Sequence, residues 1–129
     1  MARPGSKHPT ELELEILKIL WRLGPLPVSR VREALEPFRE LAITSVTTIM
    51  NIMVRKGYLS REKSTGSFVY RPRVSEHATA GRMLRDVVDR VFDGSAAVAM
   101  AHLIETGDLD EEELKRVRAL LNRQGGGKP

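Results

Sequence analysis

The chain of 129 residues contains no cysteine. That absence excludes disulfides, thiolate metal sites and cysteine nucleophiles together, and it suits the reducing cytoplasm, the location expected here. Aromatic residues are scarce at 5%, so Leu, Val, Ile and Met must fill any core. The longest apolar run is Ala96–Ala101, far below the ~20 residues that span a bilayer. Residues 1–9 are polar and predict no secretory signal. His8, His77 and His102 are isolated, with no spacing that would hold a metal. Gly94-Ser95-Ala96 lacks the pattern of a nucleophile elbow, and no glycine-rich phosphate loop is present. No catalytic residue, cofactor, metal or membrane partner is therefore expected, and the protein is not read as an enzyme.

Charge is unevenly spread. The formal net charge is +4, but residues 1–74 hold 13 Lys and Arg against 7 Asp and Glu. Residues 75–129 hold 8 against 10. A basic front and a mildly acidic rear suggest that only the front meets a polyanion.

Punctuation along the chain predicts three short helices followed by a hairpin. Thr10 and Glu13 form a capping-box pattern ahead of Leu12, Ile16, Ile19, Leu20 and Leu23, and Gly24-Pro25 stops that helix. Val28–Leu35 reads as a second helix ending before Pro37. A third runs from about Thr44 to Lys56, with Val46, Ile49, Met50 and Met53 on its apolar face and Gly57 as its stop. Tyr58–Lys63 and Phe68-Val69-Tyr70 flank a turn-rich Ser64–Ser67, which predicts a hairpin. This order is that of a winged helix-turn-helix. The fold class is thus mainly α with one small β-hairpin. A winged-helix DNA-binding domain over 10–74 is followed by a three-helix dimerisation region over 75–124. Residues 1–9 and 125–129 are expected to be disordered tails.

Once its buried positions are removed, the third helix displays Thr44, Ser45, Thr47, Thr48, Asn51, Ile52 and Arg55, with no acidic residue. An ordinary solvated helix face favours Glu and Lys. Short hydroxyl and amide groups suit base edges and phosphates, and Thr methyl groups suit thymine methyls. Asn51 has the chemistry to bond adenine bidentately, and Arg55 stands near the helix end for a phosphate. Arg61, Lys63, Arg71 and Arg73 make the hairpin basic, with Arg61 and Lys63 flanking its tip as backbone or minor-groove contacts. The alternative is a winged-helix module that binds protein through the same helix and no DNA.

In the rear region Met83, Leu84, Val87, Val88, Val91 and Phe92 form an apolar stripe, joined by Leu103 and by Leu114, Val117, Leu120 and Leu121. Two short helices cover such a stripe poorly, so it is assigned to a homodimer. A symmetric dimer predicts a pseudo-palindromic operator of double-stranded DNA.

Several segments resemble, in order, the penicillinase-repressor (BlaI/MecI/CopY) family of transcriptional regulators. They are Leu20-Trp21-Arg22-Leu23-Gly24-Pro25-Leu26, Ala42–Gly57, the hairpin ending Tyr70-Arg71-Pro72, Val91–Ser95 and Gly107–Leu114. The resemblance spans about residues 10–123. It implies repression of resistance or stress genes and an N-terminal winged helix on a dyad operator. It also implies an inducing protease as partner in the β-lactam-responsive members, with His102-Leu103 as the candidate cleavage position. Those members carry Asn-Phe there. The copper-responsive members carry a C-terminal cysteine motif, which this chain lacks.

Overall fold

A computed structural model describes residues 8–126. Its first helix, α1 (Glu11–Leu23), begins as a reciprocal capping box. The Glu13 amide donates to Thr10 Oγ1 (3.2 Å) and the Thr10 amide donates to Glu13 Oε1 (2.9 Å), satisfying two N–H groups that a helix start otherwise leaves open. The helix ends at Gly24, and α2 (Val28–Leu35) follows Pro27. The turn into α3 (Ile43–Lys56) is fixed by Arg32, whose Nε donates to the Leu41 carbonyl at 3.0 Å.

Eight of the fourteen residues of α3 are Ile, Val or Thr, poor helix formers because their χ1 freedom is lost against the preceding turn. Tertiary packing overrides that preference. Val46, Met50 and Met53 are fully buried against Ile16, Leu17 and Leu20 of α1 and Val31 and Leu35 of α2. Gly57 closes α3 in the left-handed region at φ 89°, and the Tyr58 amide reaches back to the Met53 carbonyl at 2.9 Å.

Strands β1 (Leu59–Ser64) and β2 (Ser67–Pro72) pair antiparallel, from Leu59 opposite Pro72 to Ser64 opposite Ser67. The turn is therefore tighter than the sequence suggests. Only Thr65 and Gly66 lie outside the ladder, and Gly66 takes φ 84°, a conformation without penalty only for glycine. Leu26, in the α1–α2 connection, bridges to β2 through paired bonds between Leu26 and Tyr70 (2.9 and 3.1 Å). Leu59 and Tyr70 complete the core.

Two polar ties bind the front helices to one another and to the segment after the hairpin. Glu13, almost fully buried, accepts from Lys56 Nζ at 2.9 Å, joining the start of α1 to the end of α3. Trp21 Nε1 donates to the Val74 carbonyl at 2.9 Å. Trp21 is thus a packing residue with its indole N–H satisfied.

The chain divides into two compact units, Met1–Met83 and Leu84–Pro129. The division falls inside α4 (Glu76–Val91), later than the boundary at residue 74 read from the sequence, and Thr79 in the first turn of α4 is buried. In the second unit Arg85 donates to Asp89 Oδ1 (2.9 Å) and to the Gly94 carbonyl (3.2 Å). Ser95 caps α5 (Ala96–Glu105), and Phe92 lies against His102 with ring centroids 5.7 Å apart. Asp110 and Glu113 form the capping box of α6 (Glu111–Gly126). This helix runs through Gly125 and Gly126, which the sequence reading assigns to a tail; the rest of the expected tails, 1–7 and 127–129, lies outside the described residues. His102 and Leu103 sit within α5, so a protease, which needs extended backbone, would require that helix to open. No helix among the described residues is long and apolar enough to cross a membrane, and none of their side chains form a metal-binding cluster.

Two stability measurements follow. Trp21→Phe keeps an aromatic ring but strands the Val74 carbonyl, and should cost about 1 kcal/mol in urea unfolding. The Tyr58 phenol is held above its ordinary value of 10, chiefly by burial and then by Glu13, with Lys56 and Arg82 opposing. The folded state therefore retains the proton longer than the unfolded chain. Its contribution is complete below about pH 10 and is lost as pH rises through the folded value. Tyr58→Phe should flatten that alkaline decline, read from unfolding midpoints across the alkaline range.

Candidate nucleic-acid interface

The exposed side of α3 is built by elimination. Val46, Met50 and Met53 face the core, which leaves Thr44, Ser45, Thr48 and Arg55 exposed and Thr47 and Asn51 half-buried. Thr44, Ser45, Thr48 and Ile49 line one shallow depression on this surface. Thr47 and Thr48 are partly committed. Their hydroxyls donate to the carbonyls of Ile43 (2.8 Å) and Thr44 (3.0 Å), one turn back. What each offers outward is a hydroxyl oxygen that accepts and a methyl group. Ala42 at the N-cap supplies no side-chain bond, and the first turn of α3 holds no acid. Its leading N–H groups and the positive end of the helix dipole are therefore open to an outside acceptor.

The hairpin sorts its charges by face. Opposite residues in the register share a face, so Arg61, Lys63, Phe68 and Tyr70 lie on one side and Glu62 and Val69 on the other. Phe68 carries both cations: the Arg61 guanidinium lies 4.2 Å and Lys63 Nζ 5.4 Å from its ring centroid. Such stacking favours a cation over a π-face and restrains a long side chain. Arg71 does not add to the basic surface as its sequence suggests. It pairs with Glu62, the acid of the hairpin, at 3.4 Å, which leaves that side near neutral. Arg73 follows β2 and is exposed.

Helix and hairpin meet at Asn51. Its Oδ1 accepts from Arg61 Nη1 at 2.7 Å and from the Tyr70 hydroxyl at 2.9 Å. An amide oxygen has two lone pairs, and both are used. A bidentate contact with adenine needs that oxygen as acceptor from the exocyclic amine, so the adenine-reading role the sequence suggests is not available in this arrangement. Asn51, Val54, Arg55 and Arg61 line a notch between α3 and β1. The structure thus brings Asn51, Arg55 and Arg61 together at one end of the surface and Thr44, Ser45 and Thr48 at the other. Lys63 belongs with Phe68 on the hairpin.

Phe68 and Tyr70 are the residues that reading for charge and polarity passes over. They stand at i, i+2 on β2, opposite the two cations of β1, and that alternation was the available signal. Lys56 contributes less than its charge suggests, since Glu13 holds it.

Residues 9–123 match the model of the penicillinase repressor family. The chain is 30% identical over 122 residues to the transcriptional regulator BlaI of Mycobacterium tuberculosis, covering 92% of this chain and 88% of that one. It is 21% identical over 112 residues to the methicillin resistance regulatory protein MecI of Mammaliicoccus sciuri and 20% identical over the same length to MecI of Staphylococcus aureus. Each match with MecI covers 87% of this chain and 91% of the relative. With a family match over nearly the whole chain and a hairpin directly after the third helix, the protein belongs to the penicillinase repressor (BlaI/MecI) family of winged-helix transcriptional repressors, which are not enzymes.

Proposed function

We propose that this repressor acts in the cytoplasm as a homodimer, binding a pseudo-palindromic DNA operator through α3 and the inner face of the β1–β2 hairpin. The observation that carries this reading is the acid-free surface of α3 beside a hairpin whose two cations share one face. Thr44, Ser45, Thr47 and Thr48 supply the groups that touch base edges. Lys63 supplies a cation for the phosphate backbone. Resistance or stress genes are the favoured targets, in line with a relative that is named as a methicillin resistance regulatory protein.

Dimerisation rests on the second unit. Val88 is its buried hydrophobic residue, and Met83 beside the division, Phe92, Leu114 and Val117 are half-covered. Leu84, Val87, Val91, Leu103, Leu120 and Leu121 remain exposed, as do Val98 and Ile104. Apolar exposure of that extent marks an interaction surface on a soluble chain. A second copy is the occupant that also gives operator symmetry. Covering these side chains contributes about 25 cal/mol per Å² of apolar surface.

Two experiments test the proposal. Operator affinity measured by gel shift should fall with salt at a log–log slope near −0.9 per phosphate neutralised. Lys63→Ala should weaken all duplexes alike. Thr48→Ala should instead relax preference at one base pair, at a cost of about 1–3 kcal/mol for a well-made base contact. Salt-independent binding with no sequence preference would sink the DNA reading. In sedimentation equilibrium the wild type should weigh as a dimer and Val91→Asp, which places a charge in the joint, as a monomer. A Val91→Asp variant that stays dimeric places the joint elsewhere.

A further inference from the structure

The notch between α3 and β1 carries an assignment finer than a general DNA-facing surface. Its polar groups are Asn51, Arg55 and Arg61, with Val54 as apolar floor. An asparagine ordinarily offers both a donor and an acceptor. Here Oδ1 is saturated by Arg61 Nη1 at 2.7 Å and by the Tyr70 hydroxyl at 2.9 Å, so the group has only its amide N–H bonds left to offer. The guanidiniums of Arg55 and Arg61 have no acceptor capacity at all. The side-chain polar groups left to the notch are therefore donors, set on a largely apolar lining with two positive charges and no acid among its residues.

Among base edges only guanine presents acceptors alone, at N7 and O6, and that edge is neutral, so it leaves two guanidinium charges uncompensated. A pocket of donors and positive charge fits an anionic oxygen cluster instead. Arg61 is also held before any ligand arrives. One end bonds Asn51 and its Cζ lies 4.2 Å from the Phe68 ring centroid, which removes much of the rotamer entropy that an exposed arginine loses on binding. Tyr70 is itself 2% exposed, so the core sets the position of Asn51, and Asn51 sets that of Arg61.

We infer that the Asn51–Arg55–Arg61 notch is the seat of one DNA backbone phosphate per recognition helix, and that Asn51 is a positioning residue there, not a base reader. The inference rests on the DNA-binding reading above and gives α3 two ends of different work. The Thr44–Thr48 end addresses bases. The Asn51–Arg55 end, with the hairpin, fixes the register on the backbone.

The test uses the full chain and a duplex selected from random sequence by the wild-type protein. Single phosphates are replaced in turn by neutral methylphosphonates, and single base pairs are substituted in a parallel series. For the wild type, at least one methylphosphonate position should weaken binding about tenfold, the size of one charge-assisted hydrogen bond. Arg61→Ala should abolish the dependence at that position alone and make the salt slope shallower by about 0.9. Asn51→Ala should blunt the same position and leave the base-pair profile unchanged. Tyr70→Phe, which keeps the buried ring and removes only the hydroxyl, should act in the same direction more weakly. Circular dichroism melting checks that each variant is folded. The assignment is overturned if Asn51→Ala loses discrimination at one base pair, or if Arg61→Ala retains every methylphosphonate effect. A wild-type protein that selects no duplex overturns the DNA reading and this inference with it. An Asn51→Ala variant that reads bases differently overturns this inference alone.

Discussion

Burying a tyrosine ring obliges its hydroxyl to find a partner, because an unpaired polar group in a dry environment costs more than a made hydrogen bond returns. Tyr70 is 2% exposed and is among the largest fully buried side chains. Its backbone pairs with Leu26, its ladder partner is Arg61, and its hydroxyl reaches Asn51. One residue thus fastens the α1–α2 connection, the hairpin and the third helix. In a chain with few aromatics, this junction ties three elements of the winged helix at one side chain. The electrostatics follow from it, since a fixed Asn51 fixes the guanidinium of Arg61, and Phe68 holds what Asn51 does not.

A second organising choice is where charges are allowed to cancel. Glu13 cancels Lys56 at the joint between α1 and α3, and Glu62 cancels Arg71 on the outer side of the hairpin. The exposed Glu62–Arg71 pair adds little stability, whereas the buried Glu13 carboxylate would be left unpaired without Lys56. Together the two pairs decide which cations are left uncompensated. Beside the third helix and on the inner face of the hairpin, Arg55, Arg61 and Lys63 are left without an acid partner among the described residues. Net charge is a property of the whole chain, whereas the direction of the field comes from these local cancellations.

Much of this was legible in the residues. Capping signals, glycine and proline stops and the change from helical to alternating periodicity placed the three front helices and the hairpin, because those features act locally. Thr10 with Glu13 forms the box that its spacing predicts. The family also showed in the order of its segments. What spacing could not convey was long-range pairing. Nothing in sequence says that Asn51 will spend both lone pairs internally, that Arg71 will be matched by Glu62, or that Trp21 will reach the Val74 carbonyl. Those depend on register and packing between positions far apart in the chain. The tight Thr65-Gly66 turn shows the same limit at short range, since composition marked four residues as loop and the ladder needed only two.

The third helix is written largely in β-branched residues and is held helical by burial of Val46, Met50 and Met53. Cut free of the domain, that segment would lose its shape, and its composition would favour extended strands. Its display of hydroxyls and methyls is therefore conditional on a completed core. A nascent or thermally opened chain carries the same letters but presents no groove-fitting surface. That display thus doubles as a certificate of folding, and a repressor of this make loses it on melting.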